Sequence, residues 1–215
     1  HVENIKVEDQ TLFKGQAPVM PEVIFNNGES VPTETGYTMV SNNTDVVTIE
    51  NGALNPVGIG ETTVTITSVG TNSDGNTVSH TFAVNVRSAI DKFGFYVGDE
   101  LVSETTLEVW RYDAELDLAN LLPYAETTPV EGWEGDLPFG FMDYTITSNA
   151  TDVVSVEMDE SGMQVVKALK KGVATLTYTN AYDSSKTATV VVTVKQEPTS
   201  IEFVSYSING GDEKF

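Results

Sequence analysis

Apolar and polar residues alternate in short runs along almost the whole chain, and Gly, Asn, Asp and Pro cut the runs apart. Period-two runs rich in Val, Ile, Thr and Tyr predict β-strands. Residues 61–68 put Val64 and Ile66 on one face and Thr63, Thr65 and Thr67 on the other. Residues 77–86 do the same with Val78, Phe82, Val84 and Val86. Leu176 and Tyr178, then Val190, Val192 and Val194, repeat both patterns further along. Threonine on the outer face suits antiparallel sheets with one wet side. Helical periodicity is nearly absent. Asn51-Gly52 and Ser161-Gly162 read as tight hairpin turns, and Gly60 and Gly172 as close turns before a strand. Many short strands at this spacing predict an all-β protein built as a β-sandwich.

The strands recur as a set. Residues 37–50 and 144–157 agree at 9 of 14 positions, and three of the five differences exchange similar residues. A self-match of this length marks a repeated unit. It divides the chain into one module at 1–88 and a second at 89–196, with 197–215 as a linker and the first strand of a further unit. That last strand is expected because Gly98-Asp99-Glu100 returns as Gly211-Asp212-Glu213. Modules of this size bury enough apolar surface to fold, and the short linkers limit bending between neighbours.

Charge narrows the partners. The chain has 32 acidic and 11 basic residues, a net charge of −21. Nucleic acid needs clustered Lys and Arg and is not an expected partner. No apolar run reaches the ~20 residues that span a bilayer, so no membrane insertion of this fragment is expected. With no cysteine, the fold has neither a disulfide nor a thiolate metal site. A monomer is expected.

The residue order resembles the group 2 bacterial immunoglobulin-like domain. An Ile-led opening strand and a glycine-led segment come first. Tyr-Thr-x-x-Ser-Asn-x-x-Asp-Val-Val follows, then Gly-x-x-Thr-hydrophobic-Thr, then a closing Val-x-Val-x-Val strand. The likeness covers most of 2–87, and 89–98 with 141–195. It implies two tandem immunoglobulin-like β-sandwiches from a bacterial cell-surface or secreted protein, serving as spacer and adhesion module. It brings no catalytic residues. Its repeated positions are structural: Val47, Ile49, Gly60, Val64 and Ile66, with Val154, Val156, Gly172, Leu176 and Tyr178.

The second module departs from the first at about 98–143, where extra chain carries 12 acids, one base (Arg111) and both tryptophans. Loops on a rigid scaffold commonly carry function, so Trp110, Tyr112, Tyr124 and Trp133 are the candidate binding residues. Their rings could stack on sugars while nearby carboxylates take hydroxyl hydrogen bonds. This makes a carbohydrate-binding surface the alternative to a spacer that meets a host or matrix protein or glycan. The competing reading packs Trp110 into the core. The scattered acids could hold Ca²⁺, but no Asp-x-Asp-x-Asp loop is present, so solvated loops and no cofactor are expected. Asp45 and Asp152 read as side chains that satisfy turn amides. Asn42-Asn43-Thr44 and Asn149-Ala150-Thr151 fit the N-glycosylation pattern but read as turn composition. With only His1 and His80 and no cysteine, enzyme activity is not expected.

Overall fold

The structure, a computed structural model, describes residues 1–30, 32–111, 116, 121–127 and 143–198. These fall into two compact units. The first holds 1–93 with 124–127, 143–144 and 179–186, and the second holds the described residues of 94–123 with 145–178 and 187–198. The expected start of a further module falls on 199–215, outside the described residues. All strands are antiparallel or paired in short parallel ladders, and the described chain is all-β.

The first unit carries β1 (Ile5–Lys6), β2 (Gln10–Phe13), β3 (Ile24–Phe25), β4 (Tyr37–Ser41), β5 (Val47–Glu50), β6 (Ala53–Pro56), β7 (Gly60–Thr71) and β8 (Thr77–Arg87). One sheet runs β2-β8-β7-β4, and the pairs β1-β3 and β5-β6 complete the sandwich. Alternation along β7 and β8 makes the interior: Val64 and Ile66 are fully buried, and Phe82, Val84 and Val86 close over them. Leu54 from β6 and Leu12 from β2 belong to the same core. On the wet face, threonines pair across strands, with Thr65 Oγ1 3.0 Å from Thr81 Oγ1 and Thr67 Oγ1 2.8 Å from Ser79 Oγ.

The second half of the chain repeats the order. β9 (Ile90–Val97) opens it. Next come β10 (Glu100–Val102), β11 (Glu104–Trp110), β12 (Tyr124–Thr127), β13 (Tyr144–Ser148), β14 (Val154–Met158), β15 (Gln164–Ala168), β16 (Gly172–Asn180) and β17 (Thr187–Lys195). The sheet β11-β17-β16-β13 and the hairpin β14-β15 mirror β2-β8-β7-β4 and β5-β6. The match extends to detail. β2 runs parallel to β8 and β11 parallel to β17, with Phe13↔Arg87 and Trp110↔Lys195 as corresponding partners. Val19 bridges Leu54 in the first unit, and the amide of Leu116 donates to Val166 O at 2.9 Å in the second.

The expected core positions are occupied as read, with three exceptions, of which Val78 on β8 is half-buried at the border of the core. Val47, Val64, Ile66, Val154, Leu176 and Tyr178 are fully buried, whereas Ile49 and Val156 are only half-buried. Those two sit on β5 and β14, each of which pairs with a single strand among the described residues. The turns also divide. Asn51 and Gly52 both have positive φ, 50° and 81°, as a two-residue hairpin turn requires. Ser161-Gly162 instead belongs to a longer loop closed by Asp159, whose carboxylate accepts from the amides of Ser161 and Met163.

Candidate binding surface

The parity of β11 decides where its tryptophan goes. Leu107 and Val109 lean inward, so Glu108 and Trp110 point outward, and the Trp110 residue is 50% exposed. Packing of Trp110 in the core is therefore excluded. A strand cannot bury Val109 and Trp110 on the same side, because successive side chains face opposite ways. The neighbouring strand supplies a cation: Lys195 Nζ lies 6.0 Å from the indole centroid and is ion-paired with the Glu108 carboxylate. An indole with a carboxylate and an ammonium alongside offers an apolar face together with hydrogen-bonding groups of both kinds.

Tyr124 lies on β12 in the first unit and is 45% exposed. Tyr112 and Trp133 lie outside the described residues. Sequence reading missed the counterpart of Trp110: Phe13 stands at the same register in the first unit, opposite Arg87. The signal was available, because each aromatic is followed by a basic residue, Lys14 or Arg111.

A second polar cluster lies at residues 180–186 in the first unit, where Asn180 and Asp183 are both buried. Asn180 Oδ1 accepts from the amides of Tyr182 and Asp183. The Tyr182 hydroxyl donates to Lys14 O and accepts from the Ala89 amide, and Lys14 Nζ donates to Tyr182 O at 2.7 Å. Burial pushes the Asp183 carboxyl upward, but hydrogen bonds from Ser185 and Ser88 outweigh it, and its pKa lies below the ordinary value. A lowered carboxylate pKa adds stability above the unfolded-state value and loses it as pH falls through the folded one. Asp183→Asn should therefore lower the urea midpoint at neutral pH, and the gap from the wild-type protein should shrink below about pH 4. Urea titrations at several pH values check this.

Among the described residues no group of three or more His, Cys, Asp or Glu could hold a metal ion. The ring Nε2 of His80 donates to Val7 O at 3.0 Å, a structural role. The turn role expected of Asp45 and Asp152 belongs elsewhere. Asn43 Oδ1 accepts the Asp45 amide and Ser148 Oγ the Ala150 amide, while Asp152 is ion-paired with Lys170. An Asn two residues upstream reaches the amide that an Asp could only have reached further along. Both asparagines of the glycosylation pattern tie their turns to the next strand. Asn42 Nδ2 donates to Thr63 Oγ1 at 2.6 Å, and Asn149 Oδ1 accepts the Thr175 amide at 2.7 Å.

No family model and no curated protein matches the chain. Solved structures do. Domains 1–6 of the surface layer protein SbsC match at 14% identity and a TM-score of 0.32, over 96% of this chain and 28% of that one. Domains 4 and 5 of the same S-layer protein match at 15% identity and 0.31, over 85% and 93%. Mouse cadherin-23 EC22–24 matches at 12% identity and 0.29, over 90% and 64%. The chain thus spans less than a third of the six-domain S-layer structure. Its architecture rests on its own strand pairings rather than on these likenesses.

Proposed function

We propose that the chain is a non-enzymatic, force-bearing spacer from a bacterial cell-surface or secreted protein, one stretch of a longer array of such modules. The observation that carries this reading is the parallel pairing of the early strand with the closing strand in each unit, β2 with β8 and β11 with β17. Tension along the chain pulls such partners past each other. All their hydrogen bonds then carry load together rather than opening one at a time, which raises the barrier to forced unfolding. The residue pattern shared with group 2 bacterial immunoglobulin-like domains supports the same reading.

Single-molecule pulling tests it. Anchors at the ends of 1–88 should give a higher unfolding force than anchors at Lys14 and Ser88. Those two lie at one end of the β2–β8 ladder and would unzip it. Equal forces would refute a load-bearing role.

A second reading is favoured by the outward Trp110 beside Glu108 and Lys195: a carbohydrate-binding surface on the second unit. A glycan array with wild-type protein and Trp110→Ala separates the two. Binding lost in the variant supports the glycan reading, and the absence of binding to any glycan removes it.

A further inference from the structure

Each unit's main sheet has two edges, and three of the four are guarded. An unguarded edge presents free backbone donors and acceptors that another strand can pair with. On β2 the outward amide of Phe13 donates to Gln16 Oε1 at 2.7 Å, and the Gln16 amide donates back to Phe13 O. β11 carries Glu104 and Glu108. β13 is closed by a side chain: Gln164 Oε1 accepts the Ile146 amide at 2.7 Å and its Nε2 donates to Ile146 O at 3.0 Å.

β4 differs. The Val69 amide donates to Gly36 O and the Asn42 amide to Thr63 O. Antiparallel alternation between these two anchors turns Thr38 and Val40 toward β7, and turns the backbone groups of Tyr37, Met39 and Ser41 away from it. Among the described residues no side chain bonds to those outward groups. Residue 52, which corresponds to Gln164, is a glycine at φ 81° and has no side-chain carboxamide to offer. From Tyr37 to Thr44 there is neither charge nor proline, and the outer face of β4 carries Val40 at 63% exposure.

We infer that β4 is a strand-addition site and that its occupant is β4 of a second copy of this chain, paired antiparallel about Met39. In that register Tyr37 meets Ser41 of the copy and Met39 meets Met39. Each such pair exchanges both outward hydrogen bonds. Val40 meets Thr38, and no like charges face each other anywhere along the strand. Two four-stranded sheets become one continuous sheet. The net charge of −21 on each copy opposes the approach, so association is weak and strengthens with salt, which screens the repulsion. This differs from the monomer expected from the sequence and goes beyond the spacer role, since it would let copies on neighbouring arrays adhere to one another.

Sedimentation at increasing protein and NaCl concentrations should show a dimer that grows with both. Val40→Lys sets two ammonium groups diagonally across the seam and should weaken dimerisation about tenfold or more. Val40→Thr should retain it. Hydrogen exchange of the Met39 amide should slow as the dimer forms, while the Thr38 and Val40 amides are protected throughout. A single monomeric species up to millimolar concentration would overturn the inference. So would a dimer indifferent to Val40→Lys, or a Met39 amide already protected in dilute solution, which would show the edge closed by the chain itself.

Discussion

Leu176→Ala is expected to destabilise the protein by roughly 2–5 kcal/mol, the range for deleting a buried leucine side chain and leaving a cavity. Leu176 has no accessible surface and sits at the centre of β16, between buried Ala174 and Tyr178. Val154, Val190 and Val192 are equally buried in the same half of the chain. Strands of two packed sheets cannot slide to fill such a gap without breaking ladder bonds, so the upper half of the range is expected. Val173→Ala on the same strand is the control. Its side chain is outward and 58% exposed, so the change should stay within about 0.5 kcal/mol. Urea unfolding of both variants checks the contrast. Similar midpoints for the two would contradict the assignment of Leu176 to an interior.

The fold was legible because both of its signals are local. Alternation in 61–68 and 77–86 assigns faces without knowledge of partners, and Val64, Ile66, Phe82, Val84 and Val86 are buried as that alternation requires, while Val78 is half-buried. Trp110 shows where the reading stopped. Its ring was a candidate for binding and, in the competing reading, for the core; the sequence left both open, and the parity of β11, with Val109 buried, turns it outward. The parallel ladders of β2 with β8 and β11 with β17 join residues over seventy positions apart, and no spacing rule announces them. Edge protection was invisible for the same reason. Gln164 reads as an ordinary polar residue beside a turn until Ile146 is seen to lie at the border of a sheet. The candidate binding surface was half legible: Trp110 is outward beside Glu108 and Lys195, Tyr124 is exposed on β12, and Tyr112 and Trp133 lie outside the described residues.

Gly94→Ala is expected to cost about 3 kcal/mol, at the upper end for overpacking a well-packed site. Gly94 is buried in the middle of β9, where the chain turns through Gly98 into β10 and then crosses at Ser103 into β11. A methyl group at Gly94 would stand 2.0 Å from the carbonyl oxygen of Val102 and 2.7 Å from its carbon. Both are backbone atoms, so no rotamer change relieves the contact. Val102 is held by its pairing with Phe95, and the next carbonyl along, that of Ser103, accepts the Thr189 amide of β17 at 2.8 Å. Relief therefore requires the 102–103 backbone to move away from β9 and to loosen the entry of β11 into its parallel ladder. Phe95, packed edge-on against Tyr178 with centroids 5.0 Å apart, would shift with it. The expected signature is a lower melting temperature together with faster exchange of the Thr189 amide. A variant as stable as the wild-type protein would mean that β9 and Val102 are not held in contact.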